Sequence, residues 1–200
     1  MTSTARTSTP PEPVANRYAG LPPKERLLAA ANELFYREGV HSVGIDRVIE
    51  HAGVARGTLY NSYGNKDGLV AAYLHSRHAA TSTRLLASLE RHHTPRTRLL
   101  GIFEAQGELF DENFNGCAFV NATAETHDRS ADDAAEEFRR WVRDLFTELA
   151  RDAGVRNPAT LGRQLQMIYD GAGLSGRMDR DGHAAKAARA AAAALLDAAR

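Results

Sequence analysis

The sequence is short of several features that would narrow its function at once. One cysteine, Cys117, stands in 200 residues, so no internal disulfide can form, and a cytoplasmic location is the expectation. No run approaches the ~18 uncharged apolar residues that a membrane span requires, so no membrane partner is expected. The first twenty residues, MTSTARTSTPPEPVANRYAG, lack the apolar stretch of a secretory signal. There is no excess charge either: Lys+Arg and Asp+Glu number 25 each. Within the first 70 residues, eight basic side chains face seven acidic ones, an excess of one. Bulk charge thus does not argue for nucleic acid, and any DNA contact must come from local placement of donors.

Reaction motifs are missing as well. The chain has no G-x-S-x-G, no phosphate-binding glycine loop and no H-E-x-x-H. His75 and His78 are three apart, as a shared metal would ask, but no third ligand lies near them in sequence. Asp179 and Asp181 are a fragment of a calcium loop without its other ligands. Cys117 has no adjoining basic cluster and reads as a small buried hydrophobe. No enzyme, metal site or cofactor is expected.

What is present is helical periodicity, repeated along the whole chain. Residues 1–20 are too polar to offset their ordering entropy and read as a disordered arm. Leu27, Leu28, Ala31, Leu34 and Phe35 share one face of a helix over Lys24–Glu38, opened by Pro22-Pro23 and closed by Gly39. A second helix turns Ile45, Val48, Ile49 and Ala52 inward and ends at Gly53. A third runs from about Arg56 to Tyr63. A fourth begins at Asn65, its expected cap, and continues towards His92. Further helices are expected over Pro95–Phe114, Ala118–His127, Ala131–Ala153, Ala159–Met178 and Gly182–Arg200. The fold class is all-α, with about nine helices: a small N-terminal three-helix domain over 21–70, then a larger helical bundle over 71–200.

Two short helices joined at a glycine turn are the helix-turn-helix layout, here at about residues 44–63. Ile45, Val48 and Ile49 hold the second helix, and Val54 and Leu59 anchor the third. Its outward face is left with Arg56, Thr58, Asn61 and Ser62, beside Gly57, which leaves room for close backbone approach. Side chains of that size and polarity suit a major groove.

The run GVHSVGIDRVIEHAGVARGTLYNSYGNKDGLVAAYL resembles the DNA-binding domain of the TetR family. The likeness rests on Ala52-Gly53-Val54, Gly57-Thr58-Leu59-Tyr60, Tyr63, and Lys66-Asp67 with Leu69, and covers about residues 24–75. A second run, Gly116-Cys117-Ala118-Phe119-Val120-Asn121-Ala122, resembles a segment in the regulatory half of one subgroup. The resemblance implies a ligand-responsive regulator, in the usual case a repressor, that binds a palindromic operator as a homodimer and is released by a small-molecule effector. It implies phosphate contacts for Ser42, Tyr60 and Lys66, and a place at the DNA for Gly57 and Thr58. Arg56, Asn61 and Ser62 would choose sequence, and Tyr63 would keep a packing role while adding a hydroxyl. The sequence departs from the family pattern at Val43-Gly44, where a hydroxyl pair is common, and at Gly64, where proline is frequent.

For the larger half the resemblance implies ligand binding and dimerisation. Phe103, Phe110, Trp141 and Tyr169 could line a pocket, with Gln106, Asn121, Thr123 and His127 orienting a molecule. Leu161, Leu165, Ile168 and Leu174 would form the dimer interface. The fourth helix would link effector site to DNA-binding domain. The rival expectation is a helical DNA-binding or interaction protein that senses no small molecule.

Overall fold

The computed structural model describes residues 17, 18, 20–111, 113–126, 129–180 and 182–199. The expected pocket residue His127 and the calcium-loop residue Asp181 lie outside them, as does most of the expected disordered arm. The described residues are all-α: α1 (Pro23–Glu38), α2 (Ile45–Ala52), α3 (Arg56–Tyr63), α4 (Lys66–Leu89), α5 (Pro95–Gly107), α6 (Ala118–Glu125), α7 (Arg129–Asp152), α8 (Pro158–Asp179) and α9 (His183–Ala198). The chain divides into two compact units after Leu69, inside α4.

In the first unit α1 packs on α2 and α3. Leu27, Leu34 and Phe35 from α1, Val43 before α2, Val48 from α2 and Leu59 from α3 are buried together as its core. Gly53 ends α2 in the left-handed region, φ 59° and ψ 46°, where a side chain would be strained. Asn65 caps α4 as expected, its Oδ1 accepting from the Gly68 N–H at 2.9 Å. The end of the expected arm is not disordered. Tyr18 is buried and donates its hydroxyl to Glu33 Oε2 at 2.7 Å.

In the second unit α7 packs on α8, α8 on α9, and α5 on both α7 and α9. The inward stripe of α7 is Phe138, Val142, Leu145, Phe146 and Leu149, spaced as a 3.6-residue period requires. Thr94 and Thr97 form a reciprocal capping box at the start of α5. Two helices stop earlier than their periodicity predicts. α4 ends at Leu89 rather than near His92, its backbone tightening into i−3 bonds through residues 90–92. α5 ends at Gly107 rather than Phe114: Leu109 and Phe110 bond back to Gln106 and Gly107, and Phe110 turns away to pack on Gly176 of α8.

Candidate nucleic-acid interface

The first unit builds a helix-turn-helix whose supports come from α1. Arg26 donates from Nε to the carbonyl of Ala52 at 3.0 Å and from Nη2 to that of Gly53 at 2.6 Å. These carbonyls at the end of α2 have no acceptor role inside the helix, so the guanidinium closes the turn that carries α3. Tyr63 donates its hydroxyl to the Lys24 carbonyl at 2.9 Å, and the Lys24 ammonium lies 5.7 Å from the centre of its ring. Gly68 lies so close under the end of α3 that a Cβ there would stand 2.0 Å from the Tyr63 carbonyl oxygen. The orientation of α3 is therefore set at its start by Arg26, in its middle by Leu59, and at its end by Tyr63 and Gly68.

A polar cluster holds the back of this unit. Glu33 of α1 accepts from Arg17 at 2.8 Å, Tyr18 at 2.7 Å and Arg37 at 3.1 Å, and His51 Nε2 of α2 lies 3.3 Å away. Burial pushes the carboxyl up, but the bonds from Tyr18, Arg17 and His51 outweigh it and bring Glu33 down to about 2. Neither this cluster nor the role of Arg26 has a local sequence signal. Both pair residues distant along the chain: Arg26 lies 26 positions before Ala52, and Tyr18 lies 15 before Glu33.

Around this scaffold Ser42, Arg56, Gly57, Tyr60 and Asn61 are exposed, and Thr58, Ser62 and Lys66 are half-buried. A Cβ at Gly57 would meet nothing within 4 Å. Arg56 pairs with Asp46 at 2.9 Å. Its hydrogen bond with Tyr60, and then the Asp46 charge, hold its proton more tightly than usual. Neither α2 nor α3 has a side-chain N-cap, since Gly44 and Ala55 stand in those places. Their first-turn N–H groups lack the side-chain acceptor that a capping residue would supply, and such groups suit phosphate. Tyr63 differs from the other DNA-contact candidates. Its hydroxyl is spent on the Lys24 carbonyl, so we assign it to holding α3 rather than to contacting DNA.

The second unit gathers some of the expected pocket residues and disperses others. Phe103 of α5 stacks on Phe146 of α7 with ring centres 5.5 Å apart, and Tyr169 of α8 lies 6.4 and 6.1 Å from the two. Gln106 is buried beside them and donates to the Tyr169 carbonyl at 2.8 Å. Trp141 lies apart, 6.4 Å from Phe138 and 5.5 Å from His78, and Phe110 pairs with Phe114. Asn121 is already bonded at both ends of its amide: it donates to the Asn115 carbonyl at 2.8 Å and accepts from Arg177 at 2.8 Å. Thr123 bonds back to the Phe119 carbonyl at 3.0 Å, inside α6. Burial pushes the Cys117 thiol up, which keeps it protonated. His75 and His78 both face Glu137 at 3.8 Å, yet no group of three His, Cys, Asp or Glu among the described residues is placed to hold a metal ion.

The expected interface residues also need correcting. Leu161 and Leu165 are 1% and 0% exposed, turned into the unit's own core, because they fall on the face of α8 that packs on α7. Ile168 is half-buried. Leu174 is exposed, and it shares its stripe with Met167 and Met178, which sequence reasoning missed. No helix among the described residues is long and apolar enough to cross a membrane.

Residues 27–73 match the model of the bacterial regulatory proteins of the tetR family. The structure of a TetR-family transcriptional regulator from Streptomyces coelicolor superposes with a TM-score of 0.82 at 31% identity, over 88% of this chain and 95% of that one. A putative regulator of the same kind from Streptomyces avermitilis gives 0.80 at 31% identity, over 90% and 98%. The HTH-type transcriptional repressor NemR of Escherichia coli K12 is 25% identical over 178 residues, 82% of this chain and 89% of NemR. With a helix-turn-helix braced by Arg26, Tyr63 and Gly68, and with relatives matched along nearly their whole length, this chain belongs to the TetR family of transcriptional regulators.

Proposed function

We propose that the protein is a cytoplasmic homodimeric repressor that binds a palindromic operator and is released by a small-molecule effector. The observation that carries the DNA part is a set of exposed and half-buried residues on one braced scaffold. Tyr60, Ser42 and Lys66 contact phosphates; Arg56, Asn61 and Ser62 read base edges; Gly57 and Thr58 bring the α3 backbone close to the groove. Arg56 leaves Asp46 for DNA on binding. The domains are an arm over 1–20, the DNA-binding domain over 21–70, and the effector and dimerisation domain over 71–200.

Dimerisation is supported by the exposed stripe Met167, Leu174 and Met178 on α8. Between α8 and α9 lies a groove of about 420 Å³, lined in part by Ile168, Ala172, Ala187 and Ala191. Two-fold pairing through these helices presents two copies of α3 to two half-sites. An effector favouring a conformer with wrongly spaced α3 helices weakens DNA binding by the same factor. α4, which begins in the first unit and continues in the second, is the covalent element that carries this coupling.

The test is a gel shift with the DNA upstream of the protein's own gene. Salt-sensitive binding by a dimer is expected, with about a 5–150-fold loss on adding an effector. A dimer that shows no salt-sensitive binding to that DNA overturns the reading. Binding that no compound in a broad metabolite library weakens favours a DNA-binding protein without an effector.

A further inference from the structure

Tyrosines apart, three polar side chains are buried among the described residues: Ser88, Gln106 and Gln166. Ser88 bonds to the Leu85 carbonyl at 2.6 Å, and Gln166 to the Arg139 carbonyl at 3.0 Å. Gln106 is only half served. Its Nε2 donates to the Tyr169 carbonyl at 2.8 Å, while its Oε1 is buried with no partner among the described residues. The orientation of this amide is not arbitrary. A backbone carbonyl only accepts, so Nε2 must face Tyr169 and Oε1 must be the atom left over. A buried acceptor without a donor weakens the fold unless something else supplies one. The surroundings are aromatic: Phe103 lies one turn earlier on α5 and stacks on Phe146, with Tyr169 set against both.

We propose that Gln106 Oε1 is the recognition acceptor for the effector, and that the effector is a neutral aromatic molecule bearing an O–H or N–H donor. This rests on the effector reading above. Phe103 and Phe146 are fully buried and stacked on each other, so an aromatic ring enters by parting this cluster and replacing those ring contacts, and its donor meets an acceptor that the fold leaves without a partner. A site built to pair a donor rejects an analogue that lacks it. It also rejects a carboxylate, whose oxygens only accept and whose desolvation the aromatic walls do not offset.

The experiment titrates the full chain calorimetrically with phenol, anisole and benzoate, and with their two-ring counterparts 2-naphthol, 2-methoxynaphthalene and 2-naphthoate. In each series the hydroxyl compound binds about tenfold more tightly than its methyl ether, the difference one hydrogen bond makes, and the acids do not bind. Gln106→Met removes the acceptor at similar volume and brings the hydroxyl-to-ether ratio close to one. The ratio in the unaltered protein stands by itself if that variant does not fold. Ethers or acids binding as tightly as the hydroxyl compounds, no binding by any of the six, or a ratio that survives Gln106→Met overturns the proposal. Release of operator DNA by compounds without a donor would leave the effector reading intact while removing this one.

Discussion

The two units distribute their polar side chains in opposite ways. In the first, the residues suited to reading DNA stand outside the packing: Tyr60 and Asn61 are exposed, and Gly57 faces open space. The inward polar groups are used up holding the scaffold, Arg26 on the end of α2 and Tyr63 on the start of α1. In the second unit most polar residues that look like ligand contacts are the scaffold. Asn121 ties a loop to Arg177, Thr123 closes a turn of α6, and Gln106 keeps an atom in reserve. A surface that reads a polymer can leave its reading groups unpaired in water at little cost. An interior site cannot, because each unpaired polar atom there weakens the fold. Polarity in an apolar stretch is therefore a poor guide to an interior site, and an unmet hydrogen bond is a better one.

The sharpest way to test how far the first unit depends on its bracing is Gly68→Ala. A Cβ 2.0 Å from a backbone carbonyl cannot be relieved by a side-chain rotation, so α3 and α4 must separate. A loss of about 3 kcal/mol is expected, read as lost hydrogen-exchange protection over residues 23–66 with α7 and α8 unchanged. Equal loss in both units would remove the distinction drawn here. Arg26→Ala comes next, at about 2 kcal/mol, since it strips a charged donor from two helix-end carbonyls. DNA affinity should fall with it, because Arg26 holds the turn that carries α3.

Sequence reasoning reached the helices of both units because each buries an apolar stripe of regular period. It also reached Asn65, whose partner lies three residues on. It did not reach Arg26 or Glu33, whose partners are far along the chain, nor the early end of α5, which depends on Phe110 meeting Gly176. The same limit misplaced Leu161 and Leu165. Periodicity shows that α8 has an apolar face but not that a second apolar stripe, Met167, Leu174 and Met178, remains outside. Arg56 and Asn61 were legible as outward-facing because an exposed position needs no partner to be inferred.

Smaller effects separate the two kinds of polar residue. Asn121→Ala should cost about 1 kcal/mol of stability in the second unit, from its bonds to Asn115 and Arg177, with effector affinity unchanged. A change in affinity without a change in stability would return Asn121 to the pocket. Tyr60→Phe and Tyr63→Phe form a matched pair within α3. The first should weaken every operator by about 1 kcal/mol at constant stability, as loss of a phosphate contact does. The second should cost about 1 kcal/mol of stability and shift DNA binding only through that loss.

Acid gives the smallest effect near neutrality and the clearest contrast below it. Glu33 in the first unit is held at about 2, against an ordinary 4.5. Its contribution is fully present above 4.5 and disappears as pH falls towards 2, because the unfolded chain takes the proton first. Asp170 in the second unit goes the other way. Burial raises its carboxyl above the ordinary 3.8, and the charge of Arg139, 3.1 Å away, offsets only part of that. The folded state then takes the proton first, so this group's penalty is relieved as pH falls through its raised value. Exchange protection measured from pH 7 to pH 3 should fall in α1 and α2 while the Asp170 contribution moves α8 in the opposite direction. Glu33→Gln should flatten the first trend and Asp170→Asn the second. Trends of the same sign in both units, insensitive to these two changes, would mean that the carboxylates respond to overall charge and not to the separate surroundings described here.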